Sequence, residues 1–410
     1  MKNTFGQYMG ITLFGESHGA AIGAVLDGLC PGTVIDEENI RRMLRLRKPQ
    51  GAISTARQEE DAFEIVSGAV NGVATGTPLC ILIRNQDTRS GDYAAMETLM
   101  RPGHADYPAQ CKYHGYQDKR GGGHFSGRIT AALVAAGAIC HSALQRKGIT
   151  IGTHIARCAG IPDRSFENLP ADIAALSESL FPVLDKAAGE RMEAAILAAK
   201  AECDSVGGVL ETAIVGLPAG VGEPWFDTFE SVLSHMLFSV PAVKGVEFGD
   251  GFALADMRGS EANDALRYEN GAIITTTNHG GGIGGGITNG MPVLFRCAVK
   301  PTPSIAKEQD TVDLHTLENT RLTIHGRHDP CIVPRAVPVV EAAAAVAVLV
   351  LVASVRAISG LAIPILSVSF LAGGIVCGKM FVLAEGDAAN RDDIIFLERL
   401  PLFDKDGKEI

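Results

Sequence analysis

The sequence has no Cys-x-x-Cys pair, and its nine cysteines lie scattered from Cys30 to Cys377. That pattern argues against a zinc site or a disulfide framework, and an odd, dispersed set fits the reduced thiols of a cytoplasmic protein, most of them small core residues. Positive charge is in deficit as well. A formal net charge of -11 excludes a nucleic-acid groove or an anionic membrane surface as the main partner, while leaving room for a local basic pocket that takes a small anion. The opening "MKNTFGQYMGITLFGESHG" lacks the unbroken apolar stretch of a secretory signal. Linkers, internal repeats and low-complexity segments are missing too. What remains is a 410-residue chain, 46% hydrophobic and 20% charged, with the composition of a folded protein and enough length for a large core.

Within that chain, short apolar runs alternate with glycine-rich punctuation. "AAIGAVLDGLCPG" reads as a strand ended by a Pro-Gly turn, "DEENIRRMLRLR" as a helix capped by Asp36, and "PLCILIRN" as another strand. "ITAALVAAGAICHSALQRKG" predicts an Ala/Leu-rich helix stopped by Gly148, and "DKAAGERMEAAILAAKAECDSVG" a second helix before the strand "GVLETAIVGLPAG". "ENGAIITTTNHGGGIGGGITNGMPVLFRCAVKPTPS" reads as strand, glycine loop, strand. These residues alone favour one large α/β domain, with strands and helices mixed rather than cleanly alternating.

Two apolar stretches between Ala336 and Ala384 approach the length of a bilayer span. The first holds Glu341 and Pro338 and is Ala/Val-rich, as a buried helix would be. The second is interrupted by Pro364, Gly373, Gly374 and Lys379. Buried core is the reading; a membrane hairpin is the alternative.

The chemistry-bearing residues sit in loops. In "RPGHAD", a histidine stands on a Pro-Gly bend, three residues after Arg101 and two before Asp106. Such a bend presents His104 where it can exchange a proton near neutral pH. Arg41, Arg42, Arg45, Arg47, Lys48 and Arg57 fall in a stretch without a single acid, which is either a solvated face or an anion site. "DKRGGGHFSGR" sets Lys119, Arg120, His124 and Arg128 around three glycines and Ser126, so that bare backbone N–H groups could approach a phosphate or the polar edge of a flavin. The plainer reading is a tight turn entering a helix capped by Ser126. "NHGGGIGGGITNG" contains a formal G-x-G-x-x-G, but the residues after it are strand-like, which disfavours a dinucleotide fingerprint. In "IHGRHDPC", Asp329 follows Arg327 by two residues, as an ionised base or as half of a structural ion pair. "FGESHG" puts Ser17 and His18 between two glycines; neighbouring side chains diverge, so His18 reads as a proton donor rather than as the base of a hydrolase.

Together "FGESHG", "RPGHADYPAQCKY", "RGGGHFSGR", "GVEFGDGF", "NHGGGIGGGI", "KPTPSI" and "GRHDPC", in this order, resemble the chorismate synthase family from about Phe5 to about Val355. The resemblance implies an α+β fold, a β-α-β sandwich with antiparallel sheets flanking central helices, over residues 1–356, with 357–410 as a C-terminal extension. It implies a lyase of the shikimate pathway, which removes phosphate from 5-enolpyruvylshikimate 3-phosphate in a 1,4-anti sense to give chorismate. Reduced FMN is then a cofactor that is not consumed, with NADPH as one source of its electrons. A homotetramer in the cytoplasm, with no membrane or nucleic-acid partner, is implied as well. Carried onto these residues, His18 would protonate the departing phosphate with Ser17 as relay, His104 would hold the flavin N1/O2 edge, and Asp329, with flavin N5, would take the C6 proton. Ser126 would join this catalytic group. His124, Phe125, Gly285, the loop Lys300, Pro301, Thr302, Pro303, Ser304, and Arg327 would contact the cofactor; Arg47, Arg101 and Arg128 would bind substrate or NADP anions. No metal is implied. The chain departs from the family with "HFS" where many members carry an arginine and two serines, and with "RLRKPQGAISTAR" in place of the arginine-rich "RRRPG" loop. Two other readings compete: a nicotinamide-dependent oxidoreductase using the glycine loop, and a membrane-attached anion-binding protein.

Overall fold

Alternation of buried residues builds the sheets. In Ala21–Asp27 the side chains of Ile22, Ala24 and Leu26 all face inward and are fully buried. That strand lies at the centre of a five-stranded antiparallel sheet in the order Thr4–Phe5, Gly10–Gly15, Ala21–Asp27, Leu79–Arg84, Phe63–Ser67. A second five-stranded antiparallel sheet runs Val243–Phe248, Val293–Val299, Gly208–Val215, Thr150–Cys158, Ile161–Pro162. The computed structural model describes residues 3–49, 51–55, 60–86, 98–324 and 328–370, the stretch 355–370 as backbone.

The helices are α1 (Glu37–Arg47), α2 (Asp106–Tyr113), α3 (Thr130–Gln145), α4 (Leu169–Leu176), α5 (Lys186–Ala201), α6 (Phe229–Ser239), α7 (Gly259–Ala262) and α8 (Val333–Phe370). Asp36 caps α1 as expected: its carboxylate accepts the Asn39 N–H at 3.0 Å, and Ile40, Met43 and Leu44 form the buried face. Helices α3 and α8 pack against each other and against both sheets, with α1 and α6 beside them, so the helical layer is the core. Small residues permit this approach. A Cβ on Gly137 of α3 would come within 2.5 Å of the Ala342 Cβ of α8. Every strand pairing described is antiparallel, which corrects the mixed α/β reading and agrees with the α+β sandwich that the resemblance implies. The strands on either side of "NHGGGIGGG" belong to different sheets, and a two-residue-strand hairpin, Ile283–Gly284 with Ile287–Thr288, fills the loop between them.

Gly127–Gln145 and Val333–Ser354 are long and apolar enough to cross a membrane by length and composition, yet 89% and 72% of their windows are buried inside the fold. The backbone of α8 stays helical through Pro364 to Phe370, where the sequence reading placed an interruption; a proline inside a helix removes one hydrogen bond and bends the axis without having to end it. Gly373, Gly374 and Lys379 lie outside the described residues. Cys140, Cys158, Cys297 and Cys331 are buried free thiols, as read, whereas Cys111 and Cys203 are exposed.

Glu341 is the acid inside this core. It accepts the Thr153 N–H at 2.9 Å, and burial pushes its carboxyl from the ordinary 4.5 up to about 7, against the lowering influence of Arg42 and Thr153. The folded chain therefore holds this proton more tightly than the unfolded chain. Stability from this group falls as pH rises from about 4.5 to about 7 and is level above that. Glu341→Gln keeps an oxygen for Thr153 and removes the charge. Its stability relative to wild type is expected to rise by about 3 kcal/mol between acid and mildly alkaline pH, read from urea midpoints; a difference that does not vary with pH would contradict a titrating Glu341.

Candidate active site

The turn at Arg101 closes through the His104 N–H donating to the Arg101 carbonyl at 3.2 Å, with Gly103 at φ +68°. Asp106 then opens α2 and gathers the turn onto itself. Its carboxylate accepts Arg101 Nε at 2.7 Å, Arg101 Nη2 at 2.8 Å and the Arg101 backbone N–H at 3.1 Å, and faces His104 Nδ1 at 2.5 Å. Burial disfavours the Asp106 charge, but the hydrogen bonds from Arg101 and His104 outweigh it and hold the carboxyl well below the usual range. An acceptor at Nδ1 assigns the proton there, leaving the other edge of the ring for a ligand.

That other edge meets the glycine loop. Gly121, Gly122 and Gly123 all lie at positive φ within the tight turns of Arg120–Phe125. A Cβ on Gly121 would fall 2.1 Å from His18 Cε1 and 2.9 Å from Ser17 Oγ; one on Gly122 would sit 3.4 Å from His104 Cε1 and Nε2. The loop thus holds His18 against one glycine and His104 against the next. Ser17 N–H donates to the Gly123 carbonyl at 3.1 Å, and His124 Nδ1 meets the Gly15 carbonyl at 2.7 Å, clamping the first histidine loop in place. Ser126 Oγ accepts the Arg128 N–H at 3.2 Å and so caps the turn that leads into α3, while Phe125 meets Tyr113 edge to face at 6.1 Å.

A buried ionic bridge supports the floor. Asp61 binds Arg47 Nη1 at 3.2 Å through one oxygen and Arg128 Nη1 through the other, all three side chains being nearly inaccessible. Arg47 also donates to Thr130 Oγ1 and the Gly127 carbonyl, each at 2.9 Å. Arg128 Nε reaches Asn85 Oδ1 at 3.0 Å, and Asn85 in turn donates to the Glu16 and Gly19 carbonyls at 3.0 and 2.9 Å. The rest of the basic block has another use. Arg41 pairs with Glu37 and Glu38, Arg45 with Glu178, and Arg42 donates to the Ser177 carbonyl, so these three form the solvated and packing face of α1, not an anion site. Arg57 lies outside the described residues.

Asp329 takes the Thr55 N–H on Oδ1 at 2.8 Å and Arg335 on Oδ2. Burial first, and then the nearby Arg101 charge, push its neighbour His328 below the ordinary imidazole value against the raising influence of Asp329, which places this segment within electrostatic reach of the 101–106 turn. Lys300 Nζ donates to the Gly103 carbonyl at 2.6 Å, and a Cβ on Gly103 would meet Pro303 at 3.4 Å, so the Lys300–Ser304 loop backs the same turn. The Ser205 hydroxyl donates to the Thr302 carbonyl at 2.7 Å, Pro301 packs near Gly207, and Ser304 is buried.

Of the residues singled out from sequence, Ser17, His18, Arg47, Arg101, His104, His124, Phe125, Ser126, Arg128, Lys300 to Ser304 and Asp329 are joined by this chain of contacts. Gly285 is carried separately, at the tip of the Ile283–Thr288 hairpin, with open space around its α-carbon and its neighbour Gly286 on Thr228. Arg327 lies outside the described residues. Sequence reasoning missed Asp61, Asn85 and Arg335. A lone arginine in the apolar run "IVPRAVPVV" was a signal for the last; nothing local marks the other two.

The cleft beside these groups is lined by Met100, Arg101, His104, Asp106, Gly122 and Phe125 among others. Ser17 Oγ and Thr302 Oγ1 are buried without a hydrogen-bond partner among the described residues. A bare-backbone loop, an oriented imidazole and an aromatic wall fit a planar, anionic group such as reduced FMN. The chorismate synthase family profile matches residues 9–353. The chain is 47% identical over 337 residues to the chorismate synthase of Thermococcus gammatolerans, covering 82% of this chain and 94% of that one. It is 46% identical over 342 residues to that of Korarchaeum cryptofilum (82% and 93% covered) and 47% identical over 346 residues to that of Dehalococcoides mccartyi (83% and 94%). A crystal structure of a chorismate synthase superposes with a TM-score of 0.67 at 28% identity, covering 84% of this chain and 92% of that chain. With the profile spanning most of its length and relatives of this identity matched nearly end to end, the chain belongs to the chorismate synthase family.

Proposed function

We infer that this protein converts 5-enolpyruvylshikimate 3-phosphate into chorismate and phosphate with reduced FMN, through His18, His104 and Asp329. The observation that carries this reading is the pair of imidazoles held on successive glycines, Gly121 and Gly122, of one loop. His18, buried beside Ser17, donates the proton to the departing phosphate, and the Ser17 hydroxyl relays it. His104, oriented by Asp106, would hold the N1/O2 edge of the cofactor with its other ring nitrogen. Asp329, together with the bound flavin, would receive the C6 proton. His124, Phe125, Ser126, Gly285, Arg327 and the Lys300–Ser304 loop hold the cofactor, and Arg47, Arg101 and Arg128 supply positive charge for the substrate anions. When bound, reduced FMN would supply electron density to the elimination without net redox change. Its electrons come from outside the protein rather than from a dedicated NADPH site.

The catalytic unit is residues 1–356, with 357–410 an extension that α8 enters. We place the protein in the cytoplasm as a homotetramer. Free cysteines support the first statement. The second is supported by large apolar side chains left in solvent, with Trp225, Phe226 and Phe252 exposed by 84%, 89% and 83%. Light scattering on the purified chain is expected to give four copies; a monomer would contradict the assembly.

The decisive assay is anaerobic, with enzyme, dithionite-reduced FMN and 5-enolpyruvylshikimate 3-phosphate, and reads phosphate and chorismate together. Both are expected in equal amounts. In air, with NADPH and FMN but no added reductase, neither is expected; turnover there would show an intrinsic electron supply. Failure to release phosphate anaerobically would remove the functional reading altogether.

His18→Ala and His104→Ala are each expected to lower kcat by about 10²–10⁴-fold. Asp106→Asn, which loosens both His104 and Arg101 while removing neither, should fall between wild type and His104→Ala. Near-normal turnover of His104→Ala with unchanged flavin affinity would refute its assigned role.

A further inference from the structure

Arg335 lies outside the residues assigned above, yet it touches one of them and braces another. It stands in the first turn of α8, a place where a cation opposes the positive end of the helix dipole, so helix stability does not account for it. Its guanidinium makes two contacts from one rigid plane: Nη1 on Asp329 Oδ2, and Nε on the Arg47 carbonyl at 3.0 Å at the end of α1. The Thr55 N–H holds the other Asp329 oxygen at 2.8 Å. A carboxylate gripped at both oxygens cannot turn about its Cβ–Cγ bond, and its remaining lone pairs keep one direction. Anchoring is firm on both sides, because α8 continues into the fully buried run Ala342–Val348 and Arg47 is itself fastened to Asp61 and Thr130.

We propose that Arg335 is a positioning residue for the elimination: it sets the Asp329 carboxylate at the angle from which that group takes the C6 proton, and ties it to the end of α1 that carries Arg47. The proposal rests on the reading of Asp329 as the proton acceptor. Arg335 donates hydrogen bonds and transfers no proton itself. Loss of its fork frees the carboxylate to rotate, which slows proton removal while leaving substrate affinity nearly intact. Lysine keeps the charge but has a single donor point, so it restores part of the geometry.

The test uses the full chain with chemically reduced FMN under anaerobic conditions, comparing wild type, Arg335→Gln, Arg335→Lys, Asp329→Asn and the double variant Asp329→Asn/Arg335→Gln. Arg335→Gln is expected to lower kcat by about 10²-fold with little change in KM, and to raise the kinetic isotope effect measured with C6-deuterated substrate, since proton removal becomes slower relative to the other steps. Arg335→Lys should lie between it and wild type and guards against loss of fold in the glutamine variant, with thermal melting as the check. Adding Arg335→Gln to Asp329→Asn should lower kcat little further, because the group it positions is already disabled. If Asp329→Asn slows turnover while Arg335→Gln and Arg335→Lys leave kcat and the isotope effect unchanged, the positioning role is wrong and Asp329 keeps its own. If the losses multiply in the double variant, Arg335 acts independently of Asp329 and the proposal is equally overturned. Normal turnover of Asp329→Asn would instead remove the reading of Asp329 on which the proposal rests.

Discussion

Three consecutive residues without side chains hold this site together. The backbone of Gly121 to Gly123 turns through left-handed conformations that other residues rarely adopt, and it does so directly against the His18 ring and the His104 ring. A single methyl group at position 121 would occupy the space of the first imidazole. Because the loop then runs through Phe125 and Ser126 into α3, the two histidines are referenced to the most deeply buried helix of the fold rather than to mobile surface.

Around that loop, charge is arranged by sharing. Asp106 serves Arg101 and His104; Asp61 serves Arg47 and Arg128; Asp329 serves Arg335 and the Thr55 amide. Burying any of these groups alone would be costly, and each carboxylate reduces that cost for its cations while fixing their direction. Such bridges contribute little to stability against a well-packed apolar alternative, so orientation is the better account of them. Two of the bridges also join segments far apart in the chain: Asp61 couples α1 to the entry of α3, and Arg335 couples α8 to α1.

The helical layer gives the site its stiffness. Helices α3 and α8 are apolar on almost every face because each is covered on almost every side, and hydropathy alone cannot separate that situation from a bilayer span. Glu341 marks the difference. A carboxyl accepting a backbone N–H from the second sheet belongs to a packed protein interior, where protein supplies the partner.

Local pattern was enough for the elements. Asp36 before an amphipathic run, Gly148 after an Ala-rich one, and the alternation in Ala21–Asp27 each state a physical preference that nothing distant needs to complete, and the histidine loops could be named because Gly-rich bends expose what they carry. Sequence spacing also sufficed to reject the G-x-G-x-x-G of Gly280 to Gly285, since a strand follows it. Partners were another matter. The acid-free block from Arg41 to Arg57 read equally as anion site or solvated face; Glu37 and Glu38 just before it take Arg41, but for Arg45 only the approach of Glu178, 133 positions away, decided for the surface. Asp61 and Asn85 carry no local sign of their roles because a carboxylate or amide becomes structural only when folding brings a guanidinium to it. The sequence by itself determined which segments fold and which bends carry the histidines and arginines, because those depend on neighbours a few residues away. Tertiary structure alone decided which charge faces which, because Coulomb and hydrogen-bond energies depend on distance in space and not on distance along the chain.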